Sequence, residues 1–184
     1  TLAGLINNAG VAFPGPLLHL PIEDFRRQLE VNLVGQLRVT QAFAPLLGAR
    51  VPQGGPPGRI VNMSSILGKN GGNPRPWIDP AEQKRAGNLA YGAAKAGMNS
   101  LAHTLSVELG GLGIRAKTVS PGNVPTESTY TIGKRTEQQV EASAAMIPIK
   151  RLGTPTDIAA AVVWLSSPAG SWVTGQNIVV SGGQ

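Results

Sequence analysis

Four short segments, residues 2–6, 59–65, 114–119 and 177–180, read as strands with helix-length stretches between them. The first, Leu2-Ala3-Gly4-Leu5-Ile6, is apolar throughout and fits a strand covered on both faces. Strands that alternate with helices need right-handed crossovers, and those lay the strands side by side in a parallel sheet.

The intervening stretches carry helix signals. Pro21 opens a helix with Glu23 and Asp24 in its first turn, where the helix dipole favours acids. Phe25, Leu29, Leu33 and Leu37 recur at four-residue spacing and predict its buried stripe; Leu46, Leu47 and Gly48 predict its stop, with Pro45 marking where it frays or ends. Residues 51–58 hold three prolines and three glycines and predict irregular backbone. A second helix is predicted over 91–109, with Met98, Leu101, Leu105 and Leu109 facing the core and Gly110, Gly111 and Gly113 ending it. Thr154 predicts an N-cap, with Pro155 at the first helical position, Asp157 completing a capping box, and Ile158, Ala161, Val162 and Leu165 facing inward. The pattern as a whole predicts an α/β fold, a Rossmann-like doubly wound parallel sheet with helices on both faces. Ligands in such sheets bind beyond the carboxyl ends of the strands.

Composition narrows the chemistry. With 184 residues, 41 % hydrophobic and 14 % charged, the chain is expected to form a single domain. It has no cysteine, which excludes disulfides, thiolate catalysis and zinc-thiolate sites. No apolar run reaches the roughly 18–20 residues that span a bilayer, so a cytoplasmic protein without a membrane partner is expected. The net charge is +6, yet the 16 Lys and Arg are scattered, which argues against a nucleic-acid partner. His19 and His103 have no partners at metal or triad spacing, and no metal site is expected.

Tyr91 and Lys95 stand one helical turn apart in Tyr91-Gly92-Ala93-Ala94-Lys95. Residues i and i+4 share a helix face, so the ammonium is expected beside the phenol, favouring its ionised form. A phenol so tuned serves as a general acid or base toward an alcohol or carbonyl oxygen. Four further segments agree in order: Asn7-Asn8-Ala9-Gly10, Asn32 in Val-Asn-Leu-Val-Gly, Ser64-Ser65 at the end of a strand, and Pro121-Gly122-Asn123-Val124-Pro125-Thr126. Taken together, from the first residues to Ser181-Gly182-Gly183, the chain resembles the short-chain dehydrogenase/reductase family.

That resemblance implies an NAD(P)-dependent oxidoreductase interconverting a secondary alcohol and a ketone by hydride transfer, with NAD or NADP as cofactor. Tyr91 would be the general acid/base, and Lys95 would lower its pKa and hold the nicotinamide ribose. Ser65 would hold the substrate oxygen; Ser64 competes for that role, but Ser65-Ile66-Leu67-Gly68 matches the family's Ser-x-x-Gly. Asn32 would anchor a water linked to the lysine. Asn8, Ala9 and Gly10 would line the adenosine side, and Pro121, Gly122, Val124 and Thr126 the nicotinamide side. A small-molecule alcohol or ketone is the implied partner, together with a homo-oligomer whose faces are formed by the last helix and final strand, the segments in which Trp164, Leu165, Trp172 and Val173 lie.

The chain departs from the family pattern in two places that matter. The glycine-rich cofactor loop is absent and the chain starts at the family's fourth strand, so a fragment lacking the first strands and helices is expected, with an apolar strand edge left bare. Such a chain is expected to bind dinucleotide weakly by itself, the loop and helix N-terminus that hold the pyrophosphate being absent. The alternative reading is a catalytically inactive remnant acting only through subunit contacts. Ser65 and Tyr91 are 26 positions apart, about twice the usual separation, and residues 69–88 are expected to form an excursion or lid. Within it Arg75 and Trp77 either contact substrate or pack on the surface. Ser181 replaces the aspartate usual before the final Gly-Gly.

Overall fold

The computed structural model describes residues 2–48, 54–55, 57–71, 88–131 and 136–184. Strands β1 (Leu5–Asn7), β2 (Gly58–Met63), β3 (Ile114–Pro121) and β4 (Asn177–Val180) form one parallel sheet in the order β1-β2-β3-β4. Between them run α1 (Ile22–Leu29), α2 (Gly35–Gly48), α3 (Leu67–Asn70), α4 (Leu89–Gly110), α5 (Glu127–Thr131), α6 (Glu137–Ala144) and α7 (Pro155–Ser166).

Side chains alternate across a strand, and this sheet uses both faces. On one, Ile60, Ile114 and Ala116 meet Leu47 of α2 and Leu105 of α4; on the other, Val61, Met63 and Val119 meet Ile158 and Leu165 of α7. The capping box of α7 is present, with Thr154 Oγ1 accepting from Asp157 N and the Asp157 side chain accepting from Thr154 N. The outer edge of β1 has no strand beside it among the described residues, and Ile6 is exposed there.

The first helix departs from expectation in three ways. It is interrupted by a π-helical turn over Glu30–Val34, and Pro45 lies inside α2, which continues to Gly48 instead of ending at the proline. Its predicted apolar stripe, Phe25, Leu29, Leu33 and Leu37, is only half-buried. Apart from Leu47 near its end, the fully buried positions are Gln28 (0 % exposed), Asn32 (0 %), Gln36 (4 %) and Thr40 (3 %), a polar stripe one residue away.

Lys117 is a second departure from the usual order of residues. It sits in the middle of β3, is wholly buried, and donates from Nζ to Leu165 O at 2.8 Å. Arg115 lies two residues before it, on the same sheet face, and Arg59 pairs with Arg115 in register; no ion pair reaches any of the three among the described residues. Burial first, then Arg115 and Arg59, lowers the Lys117 ammonium to about 7. A lowered base binds fewer protons folded than unfolded, so stability drops as pH falls from the ordinary 10.5 toward about 7. Lys117→Met should therefore flatten this slope and stabilise the fold at pH 7 by about 1–2 kcal/mol, a value kept small because solvent beside Arg59 screens the cluster. Thermal melts at pH 7 and pH 9 check this, and a variant that melts lower at pH 7 would contradict it.

Candidate active site

The polar stripe of the first helix reads the backbone that leaves β1. Thr40 Oγ1 accepts from Asn7 Nδ2 at 3.0 Å, Gln36 Nε2 donates to Ala9 O at 3.0 Å, and the Asn32 amide accepts from Val11 N at 2.8 Å and donates to Val11 O at 2.7 Å. The Gln28 amide does the same with Phe13, accepting from N and donating to O, both at 3.1 Å. The match is geometric. Four residues of helix advance about 6 Å and two residues of extended chain about 6.6 Å, so side chains at i, i+4, i+8 and i+12 meet every second residue of the segment. Asn7 Nδ2 also donates to Asn62 Oδ1 at 2.8 Å, which ties the end of β1 to β2.

Asn32, at the centre of this ladder, lies in the π-helical turn, a distortion frequent at functional sites. Both ends of its amide engage Val11. A Cβ built on Gly10 would fall 2.9 Å from Asn32 Oδ1 and 3.7 Å from Lys95 Nζ, so Gly10 separates the two expected site residues without a side chain of its own. Asn8 and Ala9 are exposed beside it.

Tyr91 and Lys95 both lie on α4 and Ser65 in the turn after β2. Ser65 hydrogen-bonds the Tyr91 phenol. Lys95 is buried, and its Nζ donates to Met63 O at 2.7 Å while lying 5.4 Å from the centroid of the Tyr91 ring. The expected electrostatics are corrected here. Burial dominates the Tyr91 phenol and raises it above the ordinary range, with the Ser65 hydrogen bond pulling it down. Lys95 is directed at a backbone carbonyl rather than the phenol oxygen, and burial lowers its ammonium to about 8. Ser64 takes a different part from Ser65: its Oγ donates to Lys95 O at 2.9 Å in the buried interior.

Pro121 and Gly122 stand next to the Ser65 turn, since Ile66 N donates to Pro121 O at 3.0 Å. Gly122 is pressed against the C-terminal turn, where an added Cβ would come 2.7 Å from Ser181 Cα. Val124 turns its side chain toward the core cluster around Val119 and Ile158, and Thr126 leads into α5, its backbone N bonded to Thr129 Oγ1 at 3.0 Å. Arg75 and Trp77 and most of the 69–88 excursion lie outside the described residues. Among the described residues, no His, Cys, Asp and Glu group could hold a metal ion, and no helix is long and apolar enough to cross a membrane.

The residues missed by sequence reasoning are Gln28, Gln36 and Thr40, whereas Ser64, weighed against Ser65, bonds Lys95 O within the interior. A signal for the helical ones was present: polar residues recur at 28, 32, 36 and 40 with the same four-residue period as the leucines.

Ser65, in the turn after β2, thus stands with Tyr91 and the buried Lys95 of α4 at the carboxyl end of a parallel α/β sheet, the arrangement of a Rossmann-like fold. A family model described as Enoyl-(Acyl carrier protein) reductase matches residues 1–184, and the chain belongs to the short-chain dehydrogenase/reductase family. Among curated relatives, the (3R)-3-hydroxyacyl-CoA dehydrogenase of Mus musculus is 37 % identical over 179 residues, which are 97 % of this chain and 61 % of the relative. A solved short-chain dehydrogenase/reductase from Burkholderia thailandensis superposes with a TM-score of 0.83 at 30 % identity, covering 99 % of this chain and 64 % of that one. The Pseudomonas aeruginosa RhlG/NADP active-site complex superposes with a TM-score of 0.80 at 29 % identity, over 99 % and 66 %. The chain thus spans roughly three fifths to two thirds of the length of these proteins.

Proposed function

We propose that the whole protein is an NAD(P)-dependent oxidoreductase that interconverts a secondary alcohol and a ketone, with Tyr91 as general acid/base. The observation that carries this reading is the Tyr91 phenol hydrogen-bonded to Ser65 beside the buried Lys95, at the carboxyl ends of the strands. Within that class, a 3-hydroxyacyl thioester is the narrower reading, favoured by the mouse relative's name and 37 % identity.

The residues present fit the nicotinamide half of a dinucleotide. Gly10 leaves backbone open beside Lys95, and an ammonium with one donor on Met63 O keeps two more to offer. When bound, the cofactor supplies or accepts the hydride. In reduction the Tyr91 O–H passes its proton to the carbonyl oxygen while the Ser65 hydroxyl donates to the same oxygen and stabilises its developing charge. In oxidation the phenolate takes the alcohol proton. A phenol held above its usual range stays protonated at neutral pH, which suits the reductive direction. The Lys95 ammonium would hold the ribose hydroxyls, and the Asn32 ladder would keep Gly10 in place. We assign Asn8, Ala9, Pro121, Gly122, Val124 and Thr126 to the rim of the same site. A homo-oligomer is part of the proposal, supported by the exposure of Trp164 and Trp172.

The test is a fluorescence titration with NADH and NADPH of the 184 residues and of a longer form carrying the segment that its relatives have before β1, followed by reduction of an acetoacetyl thioester. Only the longer form should bind tightly. Its affinity should weaken as pH rises through about 8, where Lys95 loses its proton. Absence of binding and of turnover in the longer form would leave the inactive reading standing.

A further inference from the structure

Gln36 is the one rung of the ladder that is chemically incomplete. Its Nε2 donates to Ala9 O at 3.0 Å, but its Oε1 is buried without a hydrogen-bond partner among the described residues. A buried acceptor left unsatisfied costs stability, roughly 1–3 kcal/mol, about as much as the single bond contributes or more. An apolar side chain of similar shape would spare the helix that cost, so what the amide supplies here is its bond to the Ala9 carbonyl.

The reason lies on the other side of the bond. The Ala9 carbonyl belongs to the peptide that enters Gly10, and the next peptide is held by Asn32 through Val11 N at 2.8 Å. Gly10 is therefore held on both flanks by the same helix, one turn apart. It is also the residue that stands against Lys95 Nζ, with a built Cβ only 3.7 Å away. The bond to Ala9 O ties the segment leaving β1 to the first helix, at the point where that segment passes Lys95 of α4. Glycine has the widest backbone freedom of any residue, so a segment through Gly10 needs such restraint.

We propose that Gln36 is a positioning residue that clamps the Ala9–Gly10 peptide over Lys95, keeping the ammonium shielded from water and facing the ligand side. This rests on the dehydrogenase reading only for what the ligand is; the clamp itself is a property of the chain. It acts through Gly10 and touches neither substrate nor cofactor.

The test is the titration of Lys95, followed by NMR of its 13Cε and 15Nζ in the lysine-labelled 184-residue chain, for the native sequence and for Gln36→Met. Met keeps the length and volume of the side chain and removes both the bond and the orphaned acceptor. With the clamp released, water reaches Nζ, and the Lys95 midpoint should rise from about 8 toward the ordinary lysine value of 10.5. Amide exchange at Gly10 and Val11 should speed up by about tenfold or more, while the melting temperature changes little. A Lys95 midpoint equal to that of the native chain would overturn the proposal, since a purely structural glutamine could alter melting without altering that lysine. Should the Met variant fail to fold, Gln36→Leu carries the same comparison. NADPH titration of the longer form separates the two claims: failure to bind there sinks the dehydrogenase reading, whereas the Lys95 midpoint alone decides the clamp.

Discussion

Tyr91→Phe should lower kcat for ketone reduction by about 10²–10⁴-fold in the longest form of the protein that binds cofactor, with KM and cofactor affinity nearly unchanged. The substitution removes one oxygen and keeps the ring. The Lys95 ammonium therefore keeps its aromatic neighbour, 5.4 Å from the ring centroid, and its bond to Met63 O at 2.7 Å, so positioning survives while the proton donor is lost. Ser65 loses a partner but remains held locally, its Oγ accepting from Leu67 N at 3.2 Å. Steady-state kinetics with an acetoacetyl thioester read the split between kcat and KM. A Phe variant that keeps more than about a tenth of the native kcat would remove Tyr91 from the acid/base role, because general acid catalysis by a positioned group is worth at least about 10².

The sheet was legible in the sequence because its strands are buried on both faces. Short segments bounded by turn residues, such as those around Ile60-Val61 and from Ile114 to Val119, need no partner information to be read as strands, and the observed β2 and β3 differ from the expected spans by only a few residues at their ends. The capping box at Thr154 is local chemistry and was equally readable. The first helix was misread because its leucine spacing is periodic but its partner is polar. The backbone leaving β1 presents unpaired N–H and C=O groups, and the side chains that satisfy it are Gln28, Asn32 and Gln36, with Thr40 accepting from the Asn7 side chain, rather than Leu29, Leu33 and Leu37. Periodicity gives a helix and its period; which of two adjacent stripes faces inward depends on what lies opposite, and that is tertiary information.

The same limit applies to the electrostatics of the candidate site. Four-residue spacing brings Tyr91 and Lys95 to one face of α4, as expected, but not the direction in which the ammonium points. Met63 O, 32 positions earlier in the chain, captures Nζ, and burial rather than the lysine charge dominates the phenol. Lys117 was unreadable for a related reason. A lysine inside an apolar strand is conspicuous, yet its partner, the carbonyl of Leu165 near the end of α7, lies 48 positions later.

Gly68 offers the sharpest test of how the site is assembled. An added Cβ there would come 2.5 Å from Lys95 C, 2.7 Å from Ala96 N and 2.8 Å from Lys95 O, all backbone atoms of α4 that cannot swing aside. Gly68→Ala must therefore push α3 away from α4 at the residue that carries the candidate lysine. Ser64 Oγ, which donates to that same Lys95 O, would be strained with it. Overpacking of this kind costs about 3 kcal/mol, roughly 6–12 °C in melting temperature for a chain of this size, and the Lys95 midpoint should move with it. Gly92 faces the same contact from the α4 side, but its Cβ would meet only Leu67 O at 3.3 Å, a gap closed by a few tenths of an ångström. Gly92→Ala should cost about 1 kcal/mol or less. Thermal melts of the two variants side by side decide the matter. Equal losses, or a larger loss at Gly92, would mean that α3 yields readily and does not fix Lys95; a loss confined to Gly68 would mean that the Ser-x-x-Gly turn holds the lysine by backbone contact, placing Ser65 and Lys95 in one rigid unit.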